Sequence, residues 1–315
     1  TELMRRGMPG DACPEQWVLD HSDVLRQLQR EYVEAGSDIV YTCTFGANAP
    51  RLKQFGIRKS VRAMNRDLAV LSREAAGQAW VFGDIGPSGT FLAPLGDIPF
   101  DRAVEAKREQ VRGLLDGGVD GFVVETMMDI QEARAALLAS RDLCDLPVLA
   151  SVTLDREGRC LTGADLCVAV VTLQALGADA VGCNCSTGPA DMITHIRNVK
   201  PFARVPLLAK PNAGLPRDGQ QSLEFDIGPE ELSAYVPEFV RRGTNLLGGC
   251  CGTSPEYIRH IKAAAEGCTP VPPAADVPSA VSSSRTAVQI AKGRPLTIIG
   301  ERINPTGKKG LQAEL

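Results

Sequence analysis

The chain has 315 residues, of which 44% are hydrophobic, and its 34 lysine and arginine residues against 38 acidic residues give a net charge of −4. This length predicts one large α/β domain or two small ones, and the lack of basic stretches with interleaved aromatic residues argues against nucleic acid as a partner. No apolar run approaches the ~20 residues of a membrane span and no signal peptide is recognisable, so we expect no membrane association and a cytoplasmic protein.

The predicted elements alternate between helices and strands. A helix should begin at Ser22 and end near Gly36, where its apolar stripe stops, and a β-rich strand should follow over 38–45. Further helices are expected over 59–76 and 101–116. The other strands are expected over 80–87, 121–126, 148–154, 180–185, 207–211 and 244–247.

Four similar four-residue motifs connect helices to strands: Ala35-Gly36-Ser37-Asp38, Gly117-Gly118-Val119-Asp120, Leu176-Gly177-Ala178-Asp179 and Arg242-Gly243-Thr244-Asn245. This repetition predicts a series of βα units, and apolar strands between helices favour a parallel sheet that is covered on its faces. Seven such strands favour a closed (β/α)8 TIM barrel, one strand of which is still to be found, over an open doubly wound sheet. We assign this barrel to residues 1–267.

The C-terminal part of the sequence has a different composition. Residues 268–295 are rich in proline, alanine and serine and should form a linker. An apolar strand beginning at Leu296 then predicts the start of a second domain over 296–315. The alternative is a C-terminal strand that packs back on the first barrel.

The ten cysteines fall in predicted strands and helices rather than in a small loop-rich scaffold, which favours reduced thiols and metal binding over disulfides. The chain has only three histidines, His21, His195 and His260, and each lies on a helical pattern. A metal site rich in histidine is therefore not expected.

The strongest candidate for a metal site is Cys250-Cys251, which follows the predicted strand 244–247 and is framed by glycines. Adjacent side chains of a strand point to opposite faces, so both thiols can reach one ion only where the backbone leaves strand geometry, which glycine permits. A third ligand should come from Cys183 or Cys185 at another strand end. These two lie roughly 6–7 Å apart along a strand, so only one should ligate, and the outer one, Cys185, is favoured.

Two acidic residues also stand at predicted strand ends. Glu125 closes an apolar strand, and because burying a carboxylate without a partner is costly, a cationic amine would suit it. A nearby backbone group or arginine is the alternative partner. Asp84 occupies a similar position, and the sequence assigns no role to it.

Two motifs together resemble the homocysteine S-methyltransferase family: Asn184-Cys185-Ser186 followed by Gly188-Pro189, and the run from Gly248 to Gly252. The resemblance implies a catalytic zinc held by Cys185, Cys250 and Cys251, and a first barrel strand before the Thr1-Glu2-Leu3 opening. It also implies that Glu125 binds the amino group of homocysteine. Asn184 and Ser186 are expected to hold the substrate carboxylate or the cysteine loop, and Asn212 to fill the fourth zinc position when substrate is absent.

The stretch from Leu296 to Lys308 resembles the first strand and loop of the pterin-binding barrel that takes methyltetrahydrofolate in the cobalamin-dependent branch of this family. The resemblance implies cofactor contacts at Glu301 and Asn304. It also implies partner domains that bind cobalamin and pterin.

The function expected from the resemblance is zinc-dependent activation of homocysteine as a thiolate that accepts the methyl group of methylcobalamin to form methionine. One alternative is a cobalamin-independent homocysteine methyltransferase that uses betaine or S-methylmethionine. A second alternative is a structural zinc or redox-sensing barrel, in which Cys250 and Cys251 form a vicinal disulfide.

Overall fold

The structure, a computed structural model, describes residues 1–218, 223–298 and 309–314. The strands are β1 (Ile39–Tyr41), β2 (Trp80–Ile85), β3 (Gly121–Met127), β4 (Val148–Val152), β5 (Ala180–Asn184), β6 (Leu207–Lys210), β7 (Pro216–Asp218), β8 (Leu223–Phe225), β9 (Thr244–Leu247), β10 (Ala280–Ser282) and β11 (Ala287–Gln289). The α-helices are α1 (Glu2–Arg5), α2 (Pro14–Asp20), α3 (Ser22–Glu34), α4 (Ala49–Gln54), α5 (Val61–Ala75), α6 (Phe100–Asp116), α7 (Ile130–Arg141), α8 (Leu166–Ala175), α9 (Pro189–Val199), α10 (Pro229–Ala234), α11 (Val236–Arg241), α12 (Pro255–Ala265) and α13 (Lys309–Glu314). A short 3-10 helix spans Lys200–Phe202.

The main sheet is parallel and has seven strands in the order β1-β2-β3-β4-β5-β6-β9. These are the seven strands predicted from the sequence. The predicted strand over 38–45 is shorter in the structure, where β1 ends at Tyr41. Within the described ranges no eighth strand joins this sheet, so β1 and β9 are its edges.

The sheet is curled around a shared apolar interior. Side chains from all seven of its strands meet in one cluster, which contains Ile39, Tyr41, Phe82, Val123, Leu149, Ala180, Leu208 and Leu246. Neighbouring side chains on one face of a flat sheet could not all converge in this way. The curvature is that of a TIM-like barrel, in which inward side chains fill the interior in layers.

The outer face of the sheet packs against the helices. Because side chains alternate along a strand, residues next to the inner cluster, such as Phe122 and Val124, belong to a separate core with Leu114 and Leu137 from the helices. All four side chains are fully buried. This burial of both faces explains why the strands are apolar almost throughout.

The predicted helix-to-strand connections adopt one conformation. Gly36, Gly118, Gly177 and Gly243 have φ values of 102°, 76°, 93° and 103°, so each ends its helix in the left-handed region that glycine favours. The motif therefore repeats because each of these turns needs a residue with positive φ.

In three of these motifs the last residue is polar and caps the adjacent strand. Asp120 Oδ2 accepts a hydrogen bond from Val81 N at 2.7 Å, and Asp179 Oδ2 accepts one from Val148 N at 2.7 Å. Asn245 Oδ1 accepts one from the first amide of β6 at 3.1 Å. The motif thus aligns the N-terminal ends of neighbouring strands.

The first and last βα units lie against each other. Lys262 of α12 pairs with Asp38, before β1, at 2.8 Å, and Tyr32 Oη donates to Thr253 O at 3.3 Å. These contacts bring together the units that carry the two edge strands.

The stretch 268–295, predicted as a linker, contains the antiparallel hairpin β10-β11, which packs against α8. Ser282 and Thr172 share a hydrogen bond of 2.8 Å between their hydroxyls. Most of the strand predicted from Leu296 lies outside the described residues, and Leu296 and Ile298 are exposed. In the ranges that the structure covers, no helix is long and apolar enough to cross a membrane.

Candidate metal centre

The structure brings the three predicted cysteine ligands together at the C-terminal ends of β5 and β9. The sulfur atoms of Cys185, Cys250 and Cys251 all lie within 4.8 Å of one another, and Cys185 Sγ is 3.7 Å from Cys251 Sγ. Cys183, the other possible ligand on β5, is 1% exposed and belongs to the outer core. Cys251 is exposed, so the cluster is open to solvent on one side.

The cysteine after β5 has an unusual backbone conformation. Cys185 and Ser186 have φ values of 65° and 57°, in the left-handed region that costs a residue with a side chain about 1–3 kcal/mol. Hydrogen bonds from Cys185 N to Lys210 O at 3.1 Å and from Thr187 N to Cys185 O at 2.7 Å hold the turn. This conformation turns the Cys185 sulfur toward the other two cysteines.

The segment after β6 holds the cysteine pair. Cys250 N donates to Pro211 O at 2.9 Å, and Ala213 N donates to Cys251 O at 2.9 Å. The side chain of Asn212 is buried, and its Oδ1 accepts a hydrogen bond from Cys251 N at 3.1 Å. Asn212 therefore lies beside the cysteines, where the sequence predicts it.

Asn184 is fully buried, and its amide is saturated by hydrogen bonds within the protein. Oδ1 accepts from Thr126 N at 2.8 Å and from Ser151 Oγ at 2.7 Å. Nδ2 donates to Thr126 Oγ1 at 2.8 Å and to Cys250 Sγ at 3.6 Å. Of the two roles expected for Asn184, holding the cysteine loop fits this arrangement, whereas binding the substrate carboxylate does not, because no polar atom of the amide is free.

Ser186 is exposed at the rim of the site. Its hydroxyl shares a 2.7 Å hydrogen bond with Thr153 Oγ1. Glu301 and Asn304, predicted to contact a pterin, lie outside the described residues.

Without a metal ion, hydrogen bonds among the three thiols shift their pKa values in opposite directions. Hydrogen bonds from Cys250 and Cys251 lower the pKa of Cys185 to about 3. The same interaction with the Cys185 thiolate raises the pKa values of Cys250 and Cys251. A metal ion must displace the protons that remain on these two thiols, so its affinity should fall as the pH falls.

The cluster fits a zinc ion. A tetrahedral zinc with metal–sulfur bonds of about 2.3 Å holds its sulfur ligands about 3.8 Å apart, close to the spacing of Cys185 and Cys251. Three sulfur ligands and one open side are the arrangement of a catalytic rather than a closed structural zinc site.

A charged pair that the sequence analysis missed lies on the inner face of the sheet. Lys210 and Glu125 form a salt bridge between β6 and β3, with side chains 6% and 13% exposed. Lys210 Nζ also lies 4.4 Å from the centre of the Tyr41 ring. Burial disfavours the ammonium form of Lys210, but the Glu125 carboxylate outweighs this effect and raises the Lys210 pKa. The sequence predicts a ligand amine as the partner of Glu125, with a backbone group or an arginine as the alternative. Within the protein the partner is Lys210, and the contact with a ligand amine stays a prediction.

A model of the family described as "Homocysteine S-methyltransferase" matches residues 1–265. The chain belongs to the homocysteine S-methyltransferase family. The resemblance inferred from the cysteine motifs is thereby confirmed, and the chain is placed among methyltransferases.

Two curated relatives are named methionine synthase. The protein from Mycobacterium tuberculosis is 36% identical over an alignment of 320 positions, which covers 98% of this chain and 27% of the relative. The protein from Mycobacterium leprae is 36% identical over an alignment of 322 positions, which covers 96% of this chain and 26% of the relative. The chain thus spans about a quarter of the length of these relatives.

Solved structures share the fold of this chain. The homocysteine methyltransferase MmuM from Escherichia coli, in its metallated form, has a TM-score of 0.69 and 22% identity, over 83% of this chain and 92% of the solved chain. Its apo form has a TM-score of 0.64 and 23% identity, over 84% and 92%. At this identity the likeness concerns the fold alone.

Proposed function

We propose that this chain binds zinc through Cys185, Cys250 and Cys251 and activates homocysteine as a thiolate for methyl transfer from methylcobalamin, forming methionine. The observation that carries the proposal is the three-sulfur cluster at the C-terminal ends of two barrel strands, open to solvent at Cys251. The C-terminal face is where TIM-like barrels place their active sites. The name of the two mycobacterial relatives supports methionine as the product.

The protein residues would divide the work between them. The three cysteines hold the ion, Asn184 and Asn212 fix the cysteine loops, and Glu125 receives the ammonium group of the substrate. Bound zinc supplies the positive charge that keeps the substrate sulfur deprotonated at neutral pH, where a free thiol with a pKa of about 8.5 is mostly protonated. No general base is then needed for the attack on the methyl group.

The proposal extends to the parts that lie beyond the barrel. The methyl donor would be methylcobalamin on a cobalamin-binding domain, and residues 296–315 would begin a domain that binds methyltetrahydrofolate through Glu301 and Asn304. The resemblance of 296–308 to a pterin-binding strand supports this assignment. It also favours a cobalamin-dependent enzyme over one that uses betaine or S-methylmethionine.

Proton release on homocysteine binding tests the proposed activation. Zinc-loaded protein titrated with homocysteine should release about one proton for each ligand bound, because a thiol becomes a thiolate. Calorimetry in buffers of different ionisation enthalpy measures this number. Binding without proton release near pH 7 would contradict activation through the metal, and binding by zinc-free protein would contradict the assigned site.

Glu125→Gln tests the proposed contact with the substrate ammonium. The variant should keep its zinc, since Glu125 is not a ligand of the ion, but should bind homocysteine about 10-fold or more weakly through loss of a charged hydrogen bond. It also leaves the Lys210 ammonium buried and unpaired, which should cost about 3–5 kcal/mol of the free energy of unfolding.

The double variant Glu125→Gln with Lys210→Met separates these two effects. Removal of both charges should restore much of the free energy of unfolding but should not restore the affinity for homocysteine. Recovery of both quantities would mean that Glu125 serves only to neutralise Lys210. Loss of zinc from the single variant would instead place Glu125 in the metal shell.

A further inference from the structure

Charged side chains form a layer inside the barrel, next to the cysteines. Phe82 of β2 and Leu208 of β6 belong to the inner apolar cluster. Because side chains alternate along a strand, the residues two positions later, Asp84 and Lys210, face the same interior one layer nearer the C-terminal ends of the strands. The partner of Lys210, Glu125, lies in this layer too. Asp84 therefore shares the interior with the Glu125–Lys210 pair.

One carboxyl oxygen of Asp84 is buried without a hydrogen-bond partner among the described residues. This oxygen is Oδ1, and the residue is 6% exposed. Its backbone, in contrast, is fixed: Asp84 N donates to Thr42 Oγ1 at 2.9 Å, and Asp84 O accepts from Thr44 Oγ1 at 2.7 Å. A buried carboxyl oxygen without a partner destabilises a fold, so its retention in a rigid position points to a ligand that completes it.

The charges around Asp84 do not balance. Lys210 is paired with Glu125, and within the described ranges the Asp84 carboxyl forms no salt bridge. Burial and then the Glu125 charge raise the Asp84 pKa, against the opposing effect of Lys210, and Glu15 and Cys250 raise it further. The interior therefore has a deficit of positive charge beside Asp84.

The missing charge matches the head group of an amino acid. A primary ammonium has three N–H donors, so one such group can bond to the carboxyl groups of both Asp84 and Glu125. Charge-assisted hydrogen bonds of this type are about twice as strong as neutral ones. Homocysteine carries its ammonium close to its sulfur, so a molecule whose sulfur meets the cysteines can place its ammonium in the layer below them.

We propose that Asp84 is a second carboxyl group for the substrate ammonium, beside Glu125, and that it makes the site select thiols that carry a free amino group. The inference rests on the proposed function, because it takes homocysteine as the ligand whose sulfur meets the three cysteines. It assigns a substrate-binding role to a residue whose sequence position alone indicates none.

The test compares two thiols on zinc-loaded protein by calorimetry: homocysteine, and 4-mercaptobutanoic acid, which lacks the amino group. Wild-type protein should bind homocysteine about 10- to 100-fold more tightly than the desamino thiol. Asp84→Asn should lose most of this preference through weaker binding of homocysteine, with the affinity for the desamino thiol unchanged. Asp116→Asn, at a surface carboxylate paired with Arg62, should behave as wild type.

Thermal unfolding without a thiol ligand provides a second measurement. If Asp84 is kept for a ligand, Asp84→Asn should unfold at a higher temperature than wild type and gain less from added homocysteine, because the costly buried carboxyl group is gone. A lower unfolding temperature, or a variant that fails to fold, would identify Asp84 as a structural residue and overturn the proposal.

The outcomes separate this proposal from the proposed function. If wild-type protein binds both thiols equally tightly with proton release, the role of Asp84 is wrong and the activation of thiols by the metal stands. The same conclusion follows if Asp84→Asn weakens both ligands equally. If neither thiol binds to the zinc-loaded wild-type protein, the proposed function itself fails, and with it the inference on Asp84.

Discussion

Cys250→Ser should lose its zinc, whereas wild-type protein should hold about one zinc ion per chain. Cys250 N donates a hydrogen bond to Pro211 O, and Cys250 Sγ accepts one from the Asn184 amide. A serine hydroxyl is a poor zinc ligand at neutral pH, because a metal ion displaces the proton of an alcohol much less readily than that of a thiol. With two sulfur ligands left, homocysteine binding and the associated proton release should disappear as well.

Cys144→Ser and Cys167→Ser are the matched controls. Both thiols are partly buried at the edge of the outer core, and Cys144 Sγ donates a hydrogen bond to Ser140 O at 3.7 Å. Zinc content measured by mass spectrometry should stay at the wild-type level in both. Equal loss in all three variants would mean that the ligands are misassigned, and full retention in Cys250→Ser would remove the basis of the proposed site.

The fold was predictable because its signals are local. The glycines at 36, 118, 177 and 243 mark helix ends through a backbone conformation that few other residues adopt, and this requirement repeats in each βα unit. The apolar strands between them follow from burial on both faces of the sheet. These two regularities predicted the seven parallel strands and their order along the chain.

The cysteine cluster was also predictable, for a different reason. The adjacent pair Cys250-Cys251 among glycines has few structural explanations other than a shared ligand, and parallel strands bring their C-terminal ends to one edge of the sheet. The proximity of this pair to Cys185 could be predicted because both segments follow strands of the same parallel sheet.

The charged interior was harder to predict because it depends on which residues face each other across the barrel. Lys210 and Glu125 are 85 positions apart in the sequence, and nothing in either segment indicates the other. Alternation did offer a signal: Lys210 stands two residues after the inward-facing Leu208, in a strand that is otherwise apolar. The same signal would have placed Asp84 inside the barrel, but the absence of a partner becomes visible only when all the neighbours are known.

A polypeptide of these 315 residues should bind homocysteine and form its thiolate, yet should make no methionine from methyltetrahydrofolate unless methylcobalamin is supplied. In the proposed function the barrel provides the homocysteine thiolate as the nucleophile, and the cysteine cluster and the charged layer beneath it orient this thiolate. A methyl group on a tertiary amine is a poor electrophile toward a thiolate, so a carrier with a better leaving group is required, which is the role that cobalamin fills.

The experiment measures the methionine formed by zinc-loaded protein with homocysteine and methyltetrahydrofolate, and then with methylcobalamin added to the same mixture, free or on a separate domain. Turnover should begin only with methylcobalamin. It should be absent in Cys250→Ser under the same conditions, because this variant cannot bind and activate homocysteine, the methyl acceptor. A steady formation of methionine from methyltetrahydrofolate in rigorously cobalamin-free buffer would contradict this assignment. The barrel would then have to transfer the methyl group without a carrier. The resemblance of residues 296–308 to a pterin-binding strand would no longer favour a cobalamin-dependent enzyme.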